Sequence, residues 1–169
     1  MAGVGHDISH LRPSGTTVTN SAGTSTGIVS FMPRFSNSTR EVAQDGRRGA
    51  LMLTMDINHP DIEQFITSKD DLTKITGANI SVKITDEFMR AVENDEDYEL
   101  YFETKWENGN WKSFSKTVKA KSVWNKLIHQ ATKTAEPKLY TGFYKIYLLL
   151  GNLNFIKHGY QQGNKIIIL

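Results

Sequence analysis

Residues 49–84 read GALMLTMDINHPDIEQFITSKDDLTKITGANISVKI, and the alternation of patterns inside this stretch decides the fold class. Gly49 to Ile57 is short and apolar with imperfect alternation, which predicts a buried strand. Asn58-His-Pro-Asp61 is a helix start, with Pro60 acceptable in the first turn and Ile62, Phe65 and Ile66 supplying the buried face. Ser68 to Gly77 is polar and reads as a loop, and Asn79 to Ile84 has the β-branched alternation of a second strand. Strand, helix and strand in succession favour an α/β architecture.

Outward from this unit the same reading continues. Thr85 is placed to cap a helix whose buried side is Phe88, Met89 and Val92. Tyr98 to Glu103 is strand-like, and Asn108-Gly109 between two aromatic-containing runs predicts a hairpin turn. Lys121 to Ala135 predicts a helix that buries Val123, Trp124, Leu127 and Ile128. On the other side, Phe31, Met32, Phe35 and Val42 fall at helical spacing from Ile28, for a helix ending before Gly46. Pro33 either kinks that helix or starts it, because an interior proline costs about 3 kcal/mol. Residues 1–27 are rich in Gly, Ser and Thr, contain Pro13, and predict short strands joined by loops. No internal repeat points to a solenoid.

A chain of 169 residues suffices for one domain with a real core. The longest apolar run, Ile146 to Leu150, is far short of the roughly 20 residues that cross a bilayer. The N-terminus lacks the basic-then-apolar pattern of a signal peptide, so a cytoplasmic protein without a membrane partner is expected. With 0 Cys the chain has no disulfide, no thiolate metal site and no thiol nucleophile. A net charge of +2 is too small to imply nucleic-acid binding. Its distribution is uneven: the 18 acidic residues lie at or before Glu136, and Pro137 to Leu169 carries lysines but no Asp or Glu.

Two segments could handle an anionic ligand. Asn20-Ser-Ala-Gly-Thr-Ser-Thr-Gly27 is small enough for backbone N–H groups to approach a phosphate, with a following helix adding its positive end. It lacks the lysine of a P-loop, and the alternative is a flexible surface loop. Asp45-Gly-Arg-Arg-Gly-Ala50 is a compact basic turn, in which Arg47 and Arg48, like Arg12, could pair with phosphates through forked donors or serve as plain surface charge. The Ala2-Gly-Val-Gly5 loop is a weak signal alone. His6 and His10 have a metal-compatible spacing only on a helix, which Gly5 and Pro13 disfavour, so no metal site is expected. His59 reads as a capping or packing residue, and Asp70 and Asp71, among lysines, read as a solvated loop.

Over Ala2 to Pro137 the sequence resembles the catalytic subunit of ribonucleotide reductases. The run from Ala2 to Arg12 resembles that family's glycine-rich strand-loop with its effector-contacting arginine, and residues 20–27 resemble its first flexible loop. Asp45 to Met52, then Asp56 to Ile62 and Phe65-Ile66, are similar in order and spacing to the family's core. Asp70 to Asn79 falls where the family carries its second loop, and Lys133-Thr-Ala-Glu-Pro137 resembles the start of its Glu-Pro-Gly turn. Arg-Arg-Gly-Ala at 47–50 looks most like the adenosylcobalamin-dependent class.

The resemblance implies a ten-stranded α/β barrel, of which residues 1–137 would form an incomplete half, in a ribonucleoside-diphosphate reductase. In such enzymes a thiyl radical abstracts the ribose 3′ hydrogen, a cysteine pair reduces the sugar, and water leaves from C2′. It implies a ribonucleotide substrate, a deoxynucleotide effector, adenosylcobalamin in the complete enzyme and a homodimer. Carried over residue by residue, Ala2 and Gly3 match the backbone that approaches substrate. Arg12 matches the effector phosphate contact. Ser21, Ala22, Gly23, Thr24, Ser25 and Thr26 match the first loop. Asp71, Leu72, Thr73, Lys74, Ile75, Thr76, Gly77 and Ala78 match the second. No catalytic residue carries over, and the expectation is an internal fragment, inactive alone and binding no cofactor itself. Residues 138–169 depart from the family pattern and are expected to be a tail from a shifted reading frame or read-through, with a divergent tail as the alternative. A free-standing nucleotide-binding module, or one part of a split reductase, are the alternative functions.

Overall fold

The computed structural model describes residues 3–18, 23–41, 49–71, 73–105, 111–141, 159–161 and 166–168. Its centre is a parallel sheet built from β1 (Gly3–Asp7), β2 (Ala50–Asp56), β3 (Ala78–Ile84) and β6 (Lys138–Thr141), lying side by side in that order. Two short strands, β7 (Gly159–Gln161) and β8 (Ile166–Ile168), extend it antiparallel, β8 next to β6. Between β3 and β6 the chain inserts a separate antiparallel ribbon, β4 (Asp97–Lys105) and β5 (Trp111–Lys119). The helices are α1 (Met32–Glu41), α2 (Ile62–Ile66), α3 (Asp86–Glu93) and α4 (Ala120–Thr134). The α/β class holds, and the parallel strands fit one part of a barrel.

The strands bury one face. On β2 it is Leu51, Leu53 and Met55, and on β3 it is Ala78, Ile80, Val82 and Ile84. Against them pack Ile62, Phe65 and Ile66 of α2, Phe88 and Met89 of α3, and Val123 and Leu127 of α4. Each such side chain contributes about 1.5–3 kcal/mol on leaving water. The opposite face is polar: register sets Asp7 beside Thr54, Met52 beside Asn79 and Asp56 beside Lys83. The expectation for residues 49–57 was a buried strand with imperfect alternation. Instead β2 alternates, because Met52, Thr54 and Asp56 look away from the helices.

Local signals placed most helix ends. Thr85 caps α3, its hydroxyl accepting the Phe88 N–H at 3.2 Å. The segment from Ile28 differs from its prediction: a 3-10 turn spans Ile28–Ser30, and α1 starts at Met32 with Pro33 in its first turn. The buried stripe there is Ile28, Met32 and Ser36, while Phe31 is exposed. Pro60 lies before α2 rather than inside it, and Ile128 on α4 is half-buried. The strands flanking Asn108-Gly109 pair as a hairpin, and the turn itself lies outside the described residues, as do Ala2, Ser21, Ala22, Arg47, Arg48 and Leu72.

Candidate functional site

The loop after β1 is held down at every step. Ile8 donates its N–H to Thr54 O at 2.9 Å, extending the β1–β2 pairing by one residue. Asp7 turns the chain, accepting the Ser9 N–H at 3.1 Å and the Ser9 hydroxyl at 2.6 Å. Beyond it His59, 2% exposed, clamps two segments. Its Nε2 lies 3.0 Å from Leu11 O, and its Nδ1 accepts the Asp61 N–H at 3.0 Å. That pair of contacts fixes the neutral ring with the proton on Nε2. Burial pulls its pKa below the usual 6.5, and the Leu11 carbonyl and the charges of Asp61 and Asp56 offset only part of this. The ring also meets Phe102 edge-on, with centroids 5.5 Å apart.

Arg12 and the first loop come together. Arg12 Nη1 donates to Thr17 O at 2.9 Å, and the Ser25 hydroxyl donates to Arg12 O at 3.2 Å. Gly15 N–H to Ser25 O (2.9 Å), Ser25 N–H to Thr16 O (2.8 Å) and Val18 N–H to Gly23 O (3.0 Å) make a narrow two-armed ribbon. Gly23, Thr24 and Thr26 are exposed on its second arm, and Ser25 is half-buried.

The end of this loop differs from the anion cradle that its composition suggests. Ile28 N–H, the first donor of the following turn, is taken by Asp61 Oδ2 at 3.1 Å. The same carboxylate receives the Ser14 N–H at 3.1 and 3.0 Å on its two oxygens. Gly27 is what lets it in: φ is +82°, and a Cβ there would stand 2.7 Å from Asp61 Oδ2 and from Ser14 Cβ. A carboxylate of the chain therefore occupies the position expected for a ligand's phosphate. Sequence reasoning read Asp61 only as part of a helix start, and nothing local marks its reach across 33 positions.

The second loop is divided between surface and core. Asp71 receives the Thr73 N–H (3.0 Å) and hydroxyl (2.5 Å) and pairs with Lys74 at 3.4 Å. Thr73, Lys74 and Thr76 are exposed, whereas Ile75 and Ala78 are core residues. Gly77 donates its N–H to Ser36 Oγ of α1 at 2.8 Å, and Thr76 bonds Arg40 of the same helix. Asp70 ties the loop to α4, accepting from Lys133 at 2.7 Å and Gln130 at 3.0 Å. The first loop runs into α1 and the second packs on its later turns, so α1 is the element they share. Ser36 was missed in the sequence, since a serine on a helix carries no signal of burial.

Two further features stand at this end of the sheet. Lys83 bridges Asp7 (2.6 Å) and Asp56 (2.7 Å) at the carboxyl ends of three adjacent strands. Burial pulls the Lys83 pKa down, but the hydrogen bonds to Asp56 and Asp7 outweigh it and hold the ammonium above its usual 10.5. Before Asp7, Gly3 and Gly5 put no side chains on the polar face of β1, and a Cβ at Gly5 would meet nothing within 4 Å. The second feature is a cavity of about 150 Å³ between residues 12–17, which precede the first loop, and the β4–β5 ribbon. Arg12, Thr16 and Thr17 form one side, and Phe102, Lys112 and Phe114 the other.

Known proteins resemble this chain over most of its length. The family model described as ribonucleotide reductase, barrel domain, matches residues 1–142. The chain is 41% identical over 139 residues to a protein of Thermoplasma acidophilum named vitamin B12-dependent ribonucleoside-diphosphate reductase, covering 81% of this chain and 17% of that protein. It is 43% identical over 93 residues to a Mycobacterium tuberculosis protein of the same name, covering 54% of this chain and 13% of that one. It is 28% identical over 160 residues to ribonucleoside-diphosphate reductase large chain 2 of Saccharomyces cerevisiae, covering 80% and 18%. The chain thus spans less than a fifth of the length of these relatives.

Proposed function

The chain belongs to the ribonucleotide reductase family through its barrel domain, and from that premise we propose that it supplies a segment of the barrel carrying substrate- and effector-facing loops. The complete enzyme reduces a ribonucleoside diphosphate to its deoxy form: the 2′-hydroxyl leaves as water while a dithiol becomes a disulfide. With 0 Cys, this chain cannot provide the dithiol or the thiyl radical, so it is inactive alone. The observation that carries the reading is the joining of Arg12 to the first loop through Thr17 and Ser25, at the carboxyl end of a glycine-bearing strand.

In this reading Arg12, with residues 21–26 and 71–78, meets a deoxynucleotide effector, and the backbone at Ala2 and Gly3 meets the substrate. Support comes from the exposure of Thr24, Thr26, Thr73, Lys74 and Thr76, and from α1 as the body on which both loops rest. Ile75 and Ala78 act by holding the second loop in the core, not by touching ligand. Relatives named vitamin B12-dependent support adenosylcobalamin as the cofactor of the complete enzyme. The cavity at Arg12, about 150 Å³, is below the roughly 300–1,000 Å³ of a site enclosing a drug-sized ligand. The complete enzyme acts as a homodimer in the cytoplasm.

We also read residues 138–169 as a tail outside the family pattern, from a shifted frame or read-through. The acid-free composition supports it, as does a family match that reaches only residue 142. β6 nevertheless pairs with β3, so the first residues of this tail are accommodated in the sheet.

The experiment measures reduction of a ribonucleoside diphosphate and binding of dATP by the 169-residue chain, alone and with a polypeptide bearing the family's cysteines. Inactivity alone with activity on mixing identifies one part of a split reductase. Tight dATP binding without activity in either case identifies a nucleotide-binding module. Loss of dATP binding in Arg12→Ala is expected, and unchanged binding overturns the effector assignment.

A further inference from the structure

The cavity beside Arg12 has a second wall that the effector reading does not use. Phe102 lies directly opposite Phe114 across the β4–β5 ribbon, and Thr104 opposite Lys112, so these four share one face. It is the inward face, since Tyr98 and Leu100 on the same side of β4 are buried in the core. Alternation sends Glu99 and Glu103 to the outward face. The inward lysines are Lys112 and Lys116. Lys116 pairs with Glu63 at 2.8 Å and does not line the cavity, and Lys112 lines it together with Arg12. The ribbon is fixed in place by the Tyr101 N–H, which donates to Asn58 O at 2.7 Å, and by Phe102 against His59.

We propose that this ribbon face is the second wall of a phosphate site, in which Lys112 and Arg12 take opposite sides of one oxyanion and Phe102 and Phe114 form the apolar part of the wall between them. The inference rests on the reading of Arg12 as a phosphate contact and adds to it an element and a cation from 100 positions later in the chain. At about 150 Å³ the space suits an end group, not a whole nucleotide. The base and sugar of a nucleotide then lie outside, towards the exposed arm of the first loop. Thr16, Thr17 and Thr104 add hydroxyl or backbone donors for the remaining oxygens. Charge-assisted hydrogen bonds are roughly twice as strong as neutral ones, which is why two converging cations select phosphate over neutral ligands.

The test titrates the full chain with pyrophosphate and with dATP by calorimetry, at low and moderate salt. Binding of both probes, with each displacing the other, is expected and places a nucleotide's phosphate end in the cavity. Binding of pyrophosphate without competition by dATP makes it a site for free phosphates. Lys112→Gln is expected to weaken either probe about tenfold and to flatten the salt dependence, and Lys112→Arg to restore both. Folding of each variant is checked by circular dichroism, Lys112 being exposed. If Lys112→Gln binds as the wild type does while Arg12→Gln loses both probes, the ribbon is no wall and the Arg12 reading stands. If Arg12→Gln binds dATP unchanged, that reading itself fails. No binding of either probe by the wild type overturns both.

Discussion

The Asp61 carboxylate and the Ile28 N–H meet at 3.1 Å, joining the turn before α2 to the start of the turn before α1. Because Ser14 N–H reaches the same carboxylate, three segments far apart in sequence converge on one side chain. Asp61→Ala strands the buried Ile28 donor and the part-buried Ser14 donor, and a buried donor costs about 1–3 kcal/mol when unsatisfied. A fall in the urea midpoint worth about 3 kcal/mol with an unchanged slope is expected, and Asp61→Asn, which keeps one acceptor, should lose less. A midpoint shift under 0.5 kcal/mol would show that the loop end is held by something else.

Gly27 is the companion of that contact. Its φ of +82° with ψ of 174° is a region only glycine adopts freely, and a side chain there would strike Asp61 and Ser14. Gly27→Ala is expected to cost about 2–4 kcal/mol. Gly5→Ala, with open space around it, is the control and should change stability by less than about 1 kcal/mol. Equal effects in the two variants would refute the crowding argument.

His59 makes stability depend on pH. Its folded pKa lies below 6.5 because it is buried, so the unfolded chain takes up a proton first as pH falls. The contribution is complete above pH 6.5 and is lost as pH drops below it, with a slope of at most about 1.4 kcal/mol per pH unit for one proton. Protonation also destroys the acceptor that receives the Asp61 N–H. Chemical denaturation from pH 8 to 5 should show this decline, and His59→Gln should remove it. A decline that persists unchanged in the variant assigns it to other groups.

Lys69 and Glu136 form an ion pair whose side chains are each only 12% exposed. It fastens the loop after α2 to the turn between α4 and β6. Removing one partner leaves a largely buried charge, and Glu136→Gln is expected to cost about 2–3 kcal/mol. The check is a double-mutant cycle with Lys69→Met. A coupling under about 0.5 kcal/mol would put this pair among ordinary surface bridges.

β1 pairs only with β2 among the described residues, and Val4 on it is 51% exposed. An exposed apolar edge strand recruits other chains. The isolated protein is expected to aggregate, and Val4→Lys to raise its soluble fraction. A monodisperse wild-type monomer in analytical ultracentrifugation contradicts this.

Much of the fold was legible because its determinants are local. The runs at 49–57 and 79–84, the Thr85 cap and the apolar stripe of α4 each announce themselves within a dozen residues. The Ile28 segment was half-legible, since helical spacing did not separate a 3-10 turn from the helix that Pro33 opens. What the sequence hid are pairings across the chain: Asp61 with Ser14 and Ile28, Ser36 with Gly77, Lys83 with Asp7 and Asp56. A carboxylate 33 and 47 positions from its donors leaves no periodic trace. The family resemblance supplied which loops to watch, but not that Asp61 already fills the first loop's end, nor that the β4–β5 ribbon faces Arg12.

The parallel strands run in the order β1, β2, β3, β6, each new one added on the same flank. A doubly wound sheet reverses direction once, and the reversal opens a crevice where ligands customarily lodge. Among the described residues the parallel strands do not turn back and leave no such cleft. Whatever this protein holds must be met at the rim where strands finish, or on the wet side of the stave, and it is there that Arg12, Lys83 and the bare backbone of β1 are found.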